Sequence, residues 1–500
     1  EEEGRKDLHG TNLDQMAQAL ALPPVNRRLV LPLLLLTIAL LSGLQAQRTE
    51  SALAMYTPLE GALSARTVTP LFSVRRVPEF LQAPTAERRL TASLLDSVSA
   101  LPDGTCLVVA EHGRRLYSMD ASLAMVPAST QKLLTAMAAL LHLGPSTVLT
   151  TRVVAEVPVV DGIVDGDVWL VGGGDPLLTT SRYAARFDDP GTYSDLGNIV
   201  SGLLTAGVTE ITGGIVGDES RYDAIRYLDT WPDRFKPGWS IQSGPLSALS
   251  VDDGFEIWDP VNTASTLSVP AGDPAANAAS LLDDLLEAEG VVIRRRPDSG
   301  RAPSHPGMVT LVELASPPVS LLVRQMLVDS DNTTAELLVK ELGRTPAERG
   351  TTVAGLGVML ETLENAGHDV AEVVPHDGSG LDPDNRVTCS LLVDVMEDDE
   401  HGALLVDALP LAGENGTMKS RFVGTAGEGR VRAKTGTLRQ VTSLAGVVDT
   451  PAGRRLAFAL ISNGELPYEI RDLHEDVVLA LLTYPAGPAV ESLAPLPVVG

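Results

Sequence analysis

Five hundred residues, 44% of them hydrophobic, are enough for two to four domains with full cores. A net charge of −27 and a pI near 4.6 exclude a nucleic-acid partner, which would need basic patches, and the longest basic run, Arg294-Arg295-Arg296, is too short to make one. The eight histidines show no metal-binding spacing, so neither a catalytic metal nor any other cofactor is expected.

Residues 1–26 form a polar tail of mixed charge. Arg27 and Arg28 then precede an apolar run over residues 29–44. As a helix this run would be about 24 Å long, short of the roughly 20 residues of a full span. Residues 27–46 therefore read as a signal peptide or a membrane anchor. Small residues are missing at the expected cleavage positions, which favours an uncleaved anchor. The preceding arginines would keep the N-terminus inside and leave the bulk of the chain outside. Scattered Pro, Thr and Arg over 47–90 read as a linker. Thr105–Glu111 and Arg115–Ser118 predict a hairpin around His112-Gly113.

From about 150 to 310 the pattern changes to short strands rich in Gly and Pro, among them residues 167–171 and 211–216. Gly172-Gly173-Gly174-Asp175-Pro176 lacks the Gly-Lys-Ser/Thr ending of a phosphate loop and reads as a turn. Helical patterns return from Leu311 and continue over 321–328, 335–342 and 353–366. Residues 376–385 form a turn-rich loop. Strands over 432–448 and 455–462, a closing helix over 468–482 and a C-terminal tail over 486–500 complete the chain. Cys106 falls in an apolar strand and Cys389 in a helix. Two unpaired buried thiols are expected, although a disulfide stays open outside the cytoplasm.

Three short motifs carry chemistry. Only six residues are lysine, and Ser129 is the only serine with a lysine, Lys132, three positions later. Pro127 upstream and Leu133, Met137, Leu140 and Leu141 downstream predict that Ser129 opens a helix, ended at Gly144-Pro145. Residues i and i+3 share a helix face, so Lys132 is held one turn from the Ser129 hydroxyl. A serine needs an adjacent base, and a neutral lysine can be that base. A free lysine titrates near about 10.4, so neutrality at pH 7 costs roughly 4–5 kcal/mol, which burial and a second cation can supply. Ser330-Asp331-Asn332 is the only Ser-x-Asn, at a junction of two helices, and Lys434-Thr435-Gly436 is the only Lys-Thr-Gly.

This ordered set resembles that of the class C low-molecular-mass penicillin-binding proteins, the D-alanyl-D-alanine carboxypeptidases/endopeptidases with a large insertion after the first motif. The resemblance covers roughly residues 85–485. It extends to Gly173-Gly174-Asp175-Pro176, Gly217-Asp218-Glu219-Ser220, Gly244–Ala248, Asp377-Gly378-Ser379-Gly380-Leu381 and Ser443–Gly446. It implies an α+β fold: a β-lactamase/transpeptidase-like domain, with an antiparallel sheet flanked by helices, over 91–150 and 310–485, and a β-rich insertion over 151–309.

It also implies Ser129 as nucleophile, Lys132 as its base, Ser330 as proton relay, Asn332 as holder of Lys132 and substrate amide, and Lys434 as the positive charge. Thr435, Gly436, Thr437, Ser379 and Asp218 would bind substrate, Asp218 through the amino end of a diamino-acid side chain. The implied substrate is a peptidoglycan stem peptide, with β-lactams as covalent ligands, outside the cytoplasm. One departure is Asp382-Pro383-Asp384-Asn385, where relatives often carry Ser-Arg-x-Asn. The alternatives are a cell-wall-binding scaffold with a decayed site, against which the intact Ser, Lys, Ser, Asn and Lys of the motifs argue, and a serine β-lactamase. Glu361 and Asn365 loosely mimic its deacylating loop, and the helical pattern there reads instead as a solvated face.

Overall fold

The computed structural model describes residues 79–493 apart from 188, 239, 259–267 and 346. The main elements run α1 (Glu79–Ser99), β1 (Thr105–Glu111), β2 (Arg114–Met119), α2 (Lys132–Ala138), β3 (Thr150–Ala155), β4 (Val168–Val171), α3 (Gly197–Thr205), β5 (Ile215–Asp218), α4 (Pro274–Ala288), β6 (Asp298–Ser299) and β7 (Val309–Ala315). They continue with α5 (Val319–Asp329), α6 (Asn332–Leu342), α7 (Thr352–Asn365), α8 (Cys389–Met396), β8 (Val431–Leu438), β9 (Val441–Asp449), β10 (Arg455–Asn463) and α9 (Ile470–Leu481).

The first sheet has the order β8-β9-β10-β1-β2 and is antiparallel throughout. The N-terminal hairpin thus joins the C-terminal strands, with Thr105 opposite Ser462. Successive side chains leave a strand on opposite faces. Cys106, Val108 and Ala110 meet Leu133, Met137, Leu338 and Leu392 on one face, while Leu107 and Val109 meet Leu90, Leu94, Val477 and Leu481 on the other. Because both faces are covered, these strands read as unbroken apolar runs. The second sheet has the order β6-β5-β4-β3-β7. β3 runs antiparallel to β4 and β7, and β5 runs parallel to β4 and β6. Its core includes residues of α3 and α4.

Four expectations are corrected. The linker expected to reach residue 90 gives way to α1 at Glu79, with Pro84 inside the helix. Leu90 and Leu94 are fully buried against α9, and burial of each contributes about 1.5–3 kcal/mol. The stretch read as only short strands contains α4, started by the Asp273 side chain accepting from Ala276 N at 3.0 Å and by Pro274 in the first turn. Residues 311–315 are strand and not helix. They pair with β3, and helix resumes at Val319.

Cys106 and Cys389 are not free thiols but form a disulfide, with their Cα atoms 6.1 Å apart. The reason is packing: α8 lies on the α2 face of the sheet and brings its first residue over β1. No described helix is long and apolar enough to cross a membrane. The apolar run 29–44 lies outside the described residues.

Candidate active site

Ser129 lies in a 3₁₀ turn, Ala128–Gln131, that runs directly into α2 at Lys132. Ala128, just before it, has φ +49°, a left-handed conformation that costs a non-glycine residue energy. Two close backbone approaches hold the turn. A Cβ on Gly380, itself at φ +84°, would lie 1.9 Å from the Ala128 carbonyl oxygen. A Cβ on Gly436 of β8 would lie 2.2 Å from Ser443 Oγ and 2.9 Å from both Pro127 O and Ser129 N. Gly436 is therefore the residue that lets β8 press against the turn. Ser443 Oγ, from β9, donates to Pro127 O at 2.7 Å and fixes the entry to it.

The Lys132 amine is fully buried. Its Nζ lies 3.1 Å from Ser129 Oγ, 2.6 Å from Asn332 Oδ1 and 2.6 Å from the Ser379 carbonyl oxygen. Burial lowers its pKa to about 8, against the pull of Asp377, Glu336 and Asp331. Roughly one amine in ten is then neutral at pH 7. Lys434 is also fully buried and donates to Ser330 Oγ and Thr435 O, both at 2.8 Å. Burial first, and then the Lys132 charge, pushes Lys434 well below the ordinary lysine range. The expected repulsion thus acts mainly on Lys434, while desolvation lowers Lys132.

Ser330 sits at φ +59°, ψ 36° as the left-handed C-cap of α5, which aims its hydroxyl at Lys434. Asp331 caps α6 by accepting from Thr334 N at 3.1 Å, and so places Asn332 at the head of that helix. Asn332 Nδ2 donates to Gln242 O at 2.6 Å, a contact invisible in the sequence. Ser129, Ser330, Asn332, Thr435 and Thr437 line one cleft of about 450 Å³, whose other walls include Phe187, Phe235, Asp253 and Phe255.

Two expected participants behave differently. Ser379 enters through its backbone carbonyl and not through its hydroxyl. Asp218 is not brought to the cleft. It is buried at the end of β5, where its oxygens accept from Ser220 N at 2.7 Å and Ala302 N at 2.8 Å. Arg386 donates to Pro383 O and Asn385 O and does not line the cleft.

The glycine run at 172–174 spends its N–H groups on Asp218 O, Thr151 Oγ1 and Ala248 O, which leaves no cradle for phosphate. Glu361 and Asn365 are exposed on α7, away from the cleft. Sequence reasoning missed Glu336, whose Oε1 accepts from Gly378 N at 3.0 Å and Ser379 N at 2.8 Å. A carboxylate four residues after Asn332, on the same helix face and between Ala335 and Leu337, was the available signal.

The family model for D-Ala-D-Ala carboxypeptidase 3 (S13) matches residues 90–265 and 259–482. A D-alanyl-D-alanine carboxypeptidase of Actinomadura sp. (strain R39) is 31% identical over 431 residues, covering 72% of this chain and 77% of that one. The crystal structure of penicillin binding protein 4 from Haemophilus influenzae shares the fold, with a TM-score of 0.64 at 20% identity over 78% of this chain and 99% of that one. A second structure of that protein, complexed with a β-lactam, has a TM-score of 0.58 at 22% identity over 78% and 99% of the two chains. With a serine, two buried lysines and a Ser-x-Asn turn meeting in one cleft, and a family model matched over most of its length, this chain belongs to the D-Ala-D-Ala carboxypeptidase 3 (S13) family.

Proposed function

We propose that this chain is a serine-type D-Ala-D-Ala carboxypeptidase that cleaves peptidoglycan stem peptides through an acyl-enzyme and is trapped by β-lactams. The observation that carries this reading is the buried Lys132 amine, 3.1 Å from Ser129 Oγ and anchored by Asn332. In its neutral form Lys132 accepts the Ser129 proton as Oγ attacks the carbonyl between the two terminal D-alanines. The oxyanion is held by the N–H groups of Ser129 and Thr437, where one donor is worth about 3–4 kcal/mol. Ser330 hands a proton to the departing D-alanine amine, and water then hydrolyses the ester. The terminal carboxylate of the substrate meets Thr435, Thr437 and Lys434, and its arrival favours the charged form of Lys434.

Family membership supports the chemistry, and the β-lactam complex of the Haemophilus influenzae relative supports the inhibitor class. We read residues 91–150 and 310–485 as the catalytic domain and 151–309 as its insertion. A peptidoglycan substrate places the enzyme outside the cytoplasm, and the Cys106–Cys389 disulfide fits an oxidising compartment. Residues 29–44 would tether or export it. Incubation with a fluorescent penicillin, followed by mass spectrometry, should place the adduct on Ser129, and an adduct on another residue would refute the assignment. D-alanine release from a monomeric stem peptide, set against cleavage of a cross-linked dimer, separates carboxypeptidase from endopeptidase action.

A further inference from the structure

Lys132 rests on a loop that a second, hidden carboxylate holds in place. Glu336 is fully buried and lies one turn after Asn332 on α6. Its Oε1 gathers the N–H groups of Gly378 and Ser379, and the carbonyl of that same Ser379 accepts from Lys132 Nζ at 2.6 Å. The other end of the loop is fixed by Asp377, which accepts from Gly380 N, Asp382 N, Asn385 Nδ2 and Trp231 Nε1 at 2.7–2.8 Å. Thr135 Oγ1 donates to Gly378 O at 2.7 Å. Asp377 thus has four donors for its charge, whereas Glu336 has two, both on one oxygen. Glu336 Oε2 is buried without a hydrogen bond, although the Ser379 hydroxyl lies near enough to favour the ionised form.

Resting on the acyl-enzyme reading above, we propose that Glu336 is a positioning residue of this site, fixing the Ser379 carbonyl beneath Lys132 and retaining the proton on the Lys132 amine through its charge. Asp377 on the loop and Asp331 at the head of α6 also favour the ammonium, and Lys434 on β8 is itself lowered by the Lys132 charge. Burial and Asp377 raise Glu336 above the ordinary carboxylate range, while the Ser379 contacts and the Lys132 charge favour its ionised form, so Glu336 and Lys132 titrate as a pair. A pair of this kind trades charge as a unit. Of its neighbours, Glu336 both touches the loop and sits one turn from Asn332, the other anchor of the lysine.

The test is the rate of Ser129 labelling by a fluorescent penicillin as a function of pH, in the whole chain. Glu336→Gln keeps the shape and an oxygen for the two N–H groups but removes the charge. Lys132 then loses its proton more readily, and the acid limb of labelling moves down by about one to two pH units. Glu336→Asp keeps the charge but is too short to reach both N–H groups. Its limb stays with the native protein while the plateau rate falls about tenfold or more. A Gln variant whose limb coincides with that of the native protein, or an Asp variant whose limb moves as expected for Gln, would overturn the proposal. Absence of Ser129 labelling in the native protein would overturn the acyl-enzyme reading and this inference with it.

Discussion

The two sheets of this molecule are built to different standards. In β9 of the first sheet, the first eight of its nine residues are buried. In β7 of the second sheet, not one of seven residues is. The first sheet lies between two helical layers and carries the Lys434 strand against the Ser129 turn. The second region sends Phe187, Phe235, Asp253 and Phe255 to the cleft from a loop, short turns and a three-residue strand. The difference teaches a division of labour. Proton transfer needs buried amines at fixed distances, so it is placed where the chain has least freedom. A wall that only meets the substrate tolerates looser construction.

That contrast can be broken in order of expected effect. Lys132→Ala should lower Ser129 labelling about 10⁴-fold while circular dichroism and the melting transition stay close to native. A near-native rate would remove Lys132 as base. Gly436→Ala should cost about 10²-fold in acylation and about 1–3 kcal/mol in denaturant-measured stability, because its Cβ falls on Ser443 Oγ and Ser129 N. Retention of both would show that β8 can retreat without consequence.

Acylation should climb roughly tenfold between pH 7 and 9, with a midpoint near 8, because the lowered Lys132 must lose its proton before it can accept one from Ser129. A flat profile over that range would contradict the assignment of the amine. On the looser side, Phe187→Ala should reduce kcat/KM for a stem peptide about five- to tenfold through lost aromatic stacking with Tyr193 and cleft contact, yet leave penicillin labelling within about twofold. Equal losses on both substrates would mean that the wall shapes the chemistry. The companion change Asp218→Asn should leave both kinetic readouts untouched and lower stability by only about 1 kcal/mol.

The same division decided what could be read from the amino acids. β1 and β10 of the first sheet are largely apolar because both faces are covered, so the hairpin and β10 stood out, while the Lys434 strand and the helix junction at Ser330 were found through their motifs. The three motifs were legible because lysines are so few. The second region was harder. α4 hid among Gly and Pro, although Asp273, Pro274 and the spacing Ala275, Ala278, Ala279, Leu282, Leu286 were all present. β7 alternates partly covered and exposed residues, and its apolar content passed for a helix face.

Other features depend on approach through space, which no local pattern encodes. Cys106 and Cys389 are 283 residues apart in sequence. Glu336 matters because a distant loop folds onto it. Asp218 sits in a family-like motif, yet β5 points it at its own backbone neighbours and away from the cleft.

The pairing of Thr105 with Ser462 has a consequence in time. The hairpin leaves the ribosome early, but the strand that completes its sheet is made hundreds of residues later. Closing so large a loop is slow, and until then the apolar faces of the hairpin have no partner. The first sheet therefore closes around a segment already synthesised, and the Cys106–Cys389 bond can lock it only once α8 has arrived.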